Sequence, residues 1–303
     1  MAHVDDGEGC WKDLNTRYRS GSGLAVKFSK MKLMLICNDP DMAFHSLLCG
    51  VDRIFVDLEI NGKLERQGHR DTVVSQHTLV DVRNVKERIG DAELLVRVNP
   101  LFAGSAKEVD DVIACGADIL MLPMFETGEE LKKFVCLVNG RAKIIPLVET
   151  PCAAANFDEI VNIKGIDEFY FGLNDLHLAM GLDFMFELLV NGTVERLAAS
   201  CRQAGIPFGF GGIARMEEGL LPGYLVLAEH MRLGSGSVIL SRTFHRQSRT
   251  IADLISTTNF EREVALVREH EKTLLSRNPT QTQSDRSRLI KYVNDIVETI
   301  RTR

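Results

Sequence analysis

The chain has 303 residues, 45% hydrophobic and 26% charged, which suits one large α/β domain with its own core. A formal charge of −6 leaves no basic field for nucleic acid, and no apolar run reaches the roughly 18 residues of a membrane span. Seven scattered cysteines (Cys10, Cys37, Cys49, Cys115, Cys136, Cys152, Cys201) form no CxxC pair, and no signal-peptide stretch opens the chain; both features read as a cytoplasmic protein with reduced thiols.

Residues 1–30 carry GEG, SGSG and the only tryptophan, Trp11, without sustained periodicity, and read as an extension, a tag or a disordered leader. From Met31 the pattern alternates. Short apolar runs at 32–39, 53–59, 93–99, 118–124, 142–150, 166–175, 206–214 and 232–241 read as eight buried parallel strands. Helical segments separate them. SAKEVDDVIACGA sets Val109, Val112 and Ile113 on one face, TGEELKKFVCLVNG opens on a capping Thr, and LVNGTVERLAASCRQAG stops at Gly. The alternation predicts a (β/α)8 barrel over residues 31–244. An open doubly wound sheet is the runner-up, but no strand–GxGxxG–helix element is present. Residues 245–303 are charged and helical in pattern. Leu289, Tyr292, Val293 and Ile296 form a stripe that fits either a helix packed on the barrel or an arm exchanged with a neighbouring subunit.

Barrel enzymes carry their chemistry at the C-terminal ends of the strands. Those ends here read Asp57-Leu58-Glu59, Arg97-Val98-Asn99, Glu149-Thr150 and Asn174-Asp175. Glu149 and Asp175 end adjacent strands. Two carboxylates brought together are costly unless a cation neutralises them, and all-oxygen donors with open positions suit Mg2+ or Mn2+. The rival reading is that each carboxylate caps a helix or pairs with Arg97. Gly209–Gly212 and Gly234–Gly236 read either as glycines that let strands seven and eight pack closely or as backbone that cradles an anion.

The segments VDRIFVDLE, LLVRVNP, ADILMLPMFET, IIPLVETP and FGLNDLHLAMG, in this order and spacing, resemble the HpcH/HpaI aldolase and citrate lyase β-subunit superfamily from about Met31 to Phe244. The resemblance implies a metal-dependent carbon–carbon lyase on a (β/α)8 barrel, oligomeric, with a C-terminal helix contributed to a neighbour. It implies Glu149 and Asp175 as ligands of Mg2+, Mn2+ or another divalent ion, and Arg97 as the contact to a substrate oxygen. It also implies a carboxylate-binding backbone at Gly172, Leu173, Asn174 and Asp175. Asp57 and Glu59 are expected behind these, holding waters or orienting Arg97.

Three departures accompany it. The pyruvate aldolases carry His where Ile60 stands and Gln where Leu147 stands, and the citrate-lyase-like branch carries Asp at the position of Ile60. The reaction expected is cleavage of a 2-oxo acid through an enolate, with a citrate-lyase-like CoA-thioester lyase, or a binding protein that kept the barrel without catalysis, as alternatives. With the usual base missing, His69 in the loop 61–72 is the first candidate for proton transfer, ahead of His177. The same loop carries Lys63, Arg66 and Arg70, offset by Glu65 and Asp71. It reads as a solvated charged loop or as a receiver for a distal anion.

Overall fold

A computed structural model describes residues 30–61 and 77–302. Residues 31–303 form one compact unit. Its centre is a closed barrel of eight parallel strands in sequence order: β1 (Lys32–Ile36), β2 (Arg53–Asp57), β3 (Glu93–Arg97), β4 (Ile119–Leu122), β5 (Lys143–Val148), β6 (Phe169–Phe171), β7 (Phe208–Ile213) and β8 (Ser237–Leu240). Each lies inside a run read from the sequence but is shorter; in β2, β3 and β5 the polar residues that end the run, Glu59, Asn99 and Glu149, lie just past the strand. The alternation of a strand sends successive side chains to opposite faces. Met34, Phe55, Leu95, Ile119, Met121, Ile145, Leu147 and Tyr170 therefore fill the barrel, while Leu33, Ile54, Val56, Leu94, Val96 and Leu120 face the helices.

The outer layer runs α1 (Pro40–Leu48), α2 (Leu79–Ile89), α3 (Ser105–Ala114), α4 (Gly128–Val138), α5 (Pro151–Ala155), α6 (Phe157–Ile160), α7 (Leu173–Ala179), α8 (Glu187–Val190), α9 (Thr193–Ala204) and α10 (Gly223–Leu233). Thr127 caps α4 reciprocally with Glu130, as its sequence implied, and Thr78 does the same for α2 with Asp81. Gly205, in the left-handed region at φ 69°, ends α9. The sequence reading missed α10, and the run 232–241 ran its last residues into the strand. Gly234 caps that helix, and Ser235 and Gly236 precede β8. These glycines thus sit at the N-terminal end of the barrel, opposite the mouth, which removes them as an anion cradle for the site.

The chain ends in α11 (Ile251–Thr257), α12 (Phe260–Leu275) and α13 (Pro279–Arg301). α12 clips the start of β1: Glu271 accepts the Met31 N–H at 2.6 Å, and Arg268 donates to the carbonyls of Met31 and Gly50 and pairs with Asp52. α13 lays Leu289, Val293 and Val297 against α10 and α8 of its own chain. Tyr292, read as part of that stripe, is 41% exposed. No helix among the described residues is long and apolar enough to cross a membrane.

Candidate active site

Strand register assembles the mouth. Asp57 and Arg97 are direct partners at the ends of β2 and β3, so the guanidinium meets the carboxylate squarely: Nε to Oδ1 and Nη2 to Oδ2, both 2.8 Å. Arg97 Nη2 also lies 3.3 Å from the Glu59 carboxylate. Burial opposes the arginine's charge, but Asp57 first, then Glu59 and Glu149, outweigh it and hold the group firmly protonated.

Glu149 follows Val148, whose register partner is Phe171, so Gly172 comes to lie beside it. A Cβ at position 172 would stand 2.8 Å from both Cβ and Oε2 of Glu149. Glycine here leaves room at the carboxylate; its φ of −82° shows that the requirement is space, not backbone conformation. Glu149 Oε1 accepts the N–H of Met124 at 3.1 Å. Met124, at the end of β4, reaches it from the left-handed region at φ 54°, a conformation that costs a non-glycine residue about 1–3 kcal/mol. Nothing in the sequence marks Met124 as a site residue.

The Glu149 carboxylate is 2% exposed. Burial pushes its pKa well above the usual carboxylate range, and the charges of Asp175 and Glu59 push the same way; Arg97 and the Met124 N–H oppose them. One arginine thus faces a cluster of carboxylates. Asp175 stands half-buried in the first turn of α7. Among the described residues no group of three or more His, Cys, Asp or Glu side chains forms a metal cage.

The rest of the expected carboxylate-binding backbone divides. The Gly172 N–H is committed to the Val148 carbonyl at 3.0 Å, so it belongs to the barrel ladder. Leu173, Asn174 and Asp175 precede the first intrahelical bond, Leu176 N–H to Gly172 C=O, and α7 has no side-chain cap. Leu147, buried in the barrel, lies directly beneath Gly172.

His69, Lys63, Arg66 and Arg70 lie outside the described residues. His177 is buried on α7 with Nδ1 3.1 Å from the Leu173 carbonyl, one turn back, which commits that nitrogen to the helix. His45 sits on α1 beside Cys49, in a structural place. His77, which the sequence reading did not single out, accepts the Asp57 N–H on Nδ1 at 3.0 Å and so buttresses the end of β2. Gly209 answers the glycine question for strand seven: a Cβ there would meet Tyr170 at 2.5 Å and the Ser237 carbonyl at 2.6 Å, so it serves close packing. A cavity of about 640 Å³ opens at the opposite end of the barrel, and three of its acids serve the barrel itself. Asp118 and Asp167 accept the N–H groups of Leu94 and Ile144, and Glu93 pairs with Lys143.

The closed (β/α)8 barrel thus gathers carboxylates around one arginine at its strand ends. The family model for HpcH/HpaI aldolase/citrate lyase matches residues 30–221, and the chain belongs to that family. Solved structures agree on the fold. An HpcH/HpaI aldolase from Desulfitobacterium hafniense DCB-2 superposes with a TM-score of 0.57 at 15% identity, covering 82% of this chain and 95% of that one. An HpcH/HpaI aldolase/citrate lyase family protein from Burkholderia cenocepacia J2315 gives 0.56 at 16% identity, covering 86% and 99%. The citrate synthase SbnG gives 0.54 at 14% identity, covering 80% and 95%. No curated protein matches the chain.

Proposed function

We propose that this protein cleaves a carbon–carbon bond of a 2-oxo acid, leaving a pyruvate-type enolate, with a divalent cation held by Glu149 and Asp175. The observation that carries this reading is the buried Glu149 carboxylate, crowded by Asp175 and Glu59 and opposed by a single arginine. Excess buried negative charge is the condition a divalent cation relieves, and the space kept at Glu149 by Gly172 fits an ion there. Two carboxylates leave the remaining coordination positions to water and substrate oxygens. When bound, Mg2+ or Mn2+ supplies Lewis acidity toward the substrate's carboxylate and 2-oxo oxygens.

The chain's own residues do the rest. Arg97, held charged and aimed by Asp57 and Glu59, places a fixed positive group where negative charge develops on the 2-oxo oxygen. The first-turn amides of α7 receive the substrate carboxylate. Leu147 gives the floor an apolar surface that keeps water from that charge. We assign to His69 the removal of the substrate's C4-hydroxyl proton, so that this oxygen becomes the carbonyl of the leaving aldehyde as the C3–C4 electron pair passes to the enolate. Leu147 also favours a second reading, a citrate-lyase-like CoA-thioester lyase, because the Gln of the pyruvate aldolases is replaced there. In a homo-oligomer of the family kind, α13 would meet a neighbour.

The test is exchange of the pyruvate methyl protons with deuterium in the presence of Mg2+ or Mn2+. Exchange that disappears in Asp175→Ala supports the aldolase. Turnover of a β-hydroxyacyl-CoA without pyruvate exchange supports the thioester lyase, and binding of neither metal nor 2-oxo acid overturns both.

A further inference from the structure

Three successive backbone amides at the end of β2 are held by side chains rather than by a neighbouring strand. The Glu59 N–H donates to Asp57 Oδ1 at 3.2 Å. The Ile60 and Asn61 N–H groups both donate to Asn99 Oδ1, each at 2.9 Å. Asn99 is buried, and its own orientation is fixed from behind: Nδ2 donates to Glu108 Oε1 at 2.6 Å, and its backbone N–H meets both Glu108 oxygens at 3.3 Å. Glu108 stands on α3, so the chain of contacts runs from that helix to the residues directly after Glu59. Ile60 itself is 56% exposed, so its side chain does not anchor this turn.

The amide of Asn99 has one orientation that works. Its oxygen must face the two N–H groups and its nitrogen the carboxylate, so Glu108 sets the flip and the flip sets the turn. The turn fixes where the Glu59 carboxylate stands, and that carboxylate is 3.3 Å from Arg97 Nη2. We infer that Asn99 is a positioning residue: braced by Glu108, it fixes the turn after β2 and thereby holds Glu59 against the Arg97 guanidinium that receives the substrate. This rests on the proposed reaction for the role of Arg97, but the strap itself is read from contacts outside the metal-binding pair.

The contact can be reversed without being lost. Asn99→Asp keeps oxygens for both amides but sets a carboxylate against Glu108; adding Glu108→Gln exchanges donor and acceptor, so the contact re-forms in the opposite sense. The reaction read is metal-dependent deuterium exchange of pyruvate, with Mn2+ affinity by calorimetry and Tm alongside. In Asn99→Asp the rate at saturating pyruvate is expected to fall about tenfold or more, with Mn2+ affinity kept within about threefold. In the double variant the rate should return to within about threefold of wild type. A fall that Glu108→Gln repairs is not produced by general loosening, which a second substitution would deepen. Should Asn99→Asp fail to fold, the folded double variant is compared with wild type and with Glu108→Gln alone. An unchanged rate in Asn99→Asp, or a loss in it that the double variant does not recover, overturns the strap. So does a double variant far below Glu108→Gln when the single Asn99→Asp protein is lost. Wild-type protein that exchanges no pyruvate overturns the reaction, and with it the role given to Asn99.

Discussion

Replacing Gly172 by alanine tests the geometry of the site at one atom. The added Cβ would stand 2.8 Å from the Glu149 Cβ, against at least 3.4 Å for an ordinary contact, and 3.2 Å from Leu147 Cδ1. The Glu149 Oε2 contact, also 2.8 Å, can be relieved by rotating the carboxylate. The Cβ–Cβ contact cannot, since both atoms are fixed to backbone, so the ends of β5 and β6 must part by about 0.6 Å. Overpacking of this kind costs about 1–3 kcal/mol, a Tm lower by several degrees for a chain of this size. The functional cost is larger. A cation site tolerates ligand displacements of about 0.2 Å, so either relief, strand movement or carboxylate rotation, misplaces Glu149. Mn2+ affinity by calorimetry should fall more than about tenfold. Gly236→Ala is the control: its Cβ would meet nothing nearer than 3.9 Å, and both Tm and metal affinity should hold. Gly172→Ala protein with wild-type Mn2+ affinity would refute the cradle, and with it the assignment of Glu149 as a ligand.

Glu149→Gln keeps an acceptor for the Met124 N–H and replaces a buried acid by a neutral amide, so metal binding should vanish while the Tm of the metal-free protein stays within a few degrees of wild type, read by calorimetry and thermal unfolding. Arg97→Lys keeps the charge but loses the two-pronged pair with Asp57; deuterium exchange of pyruvate should slow about 100-fold by NMR, and a rate within twofold of wild type would remove Arg97 from the mechanism. His230, stacked on Phe210 at 3.6 Å, has its pKa lowered by burial from 6.5 to about 3. Its folded pKa lies below its unfolded one, so its contribution is fully present above pH 6.5 and is lost as pH falls toward 3. At most it amounts to about 5 kcal/mol, with a slope of up to about 1.4 kcal/mol per pH unit. His230→Leu should therefore flatten the acid limb of urea-unfolding stability between pH 6 and 4, and an unchanged limb would show that the ring is not held neutral.

The barrel was legible because its signal is local. Each strand is a short apolar run and each helix a periodic one, and eight alternations have one closed solution. Glu149 and Arg97 were legible as mouth residues for a related reason: polar residues that end buried strands face the mouth; Asp175, read as a strand end, stands instead in the first turn of α7. The helix at 223–233 was not. Nearly all its residues are buried, so it lacks the polar face that periodicity needs, and its C-terminal glycines were read as the start of a strand. Met124 was illegible because its contribution is a backbone N–H aimed by an unusual φ, which no side chain announces. Asn99 was visible as a strand-end residue, but its use depends on Glu108, nine positions along and on another element.

The alternating architecture, the acidic strand ends and the departures at Ile60 and Leu147 are properties of residue type and short-range spacing, and so can be read along the chain. The pairings across the mouth arise from closure of the barrel. Asp57 faces Arg97 because of the β2–β3 register, Gly172 lies against Glu149 because of the β5–β6 register, and Gly234–Gly236 fall at the end away from the mouth because α10 runs to Leu233. Register in a closed barrel is set by all eight strands together. A side chain's partner across the mouth is therefore a property of the closure, not of its own neighbourhood in the chain.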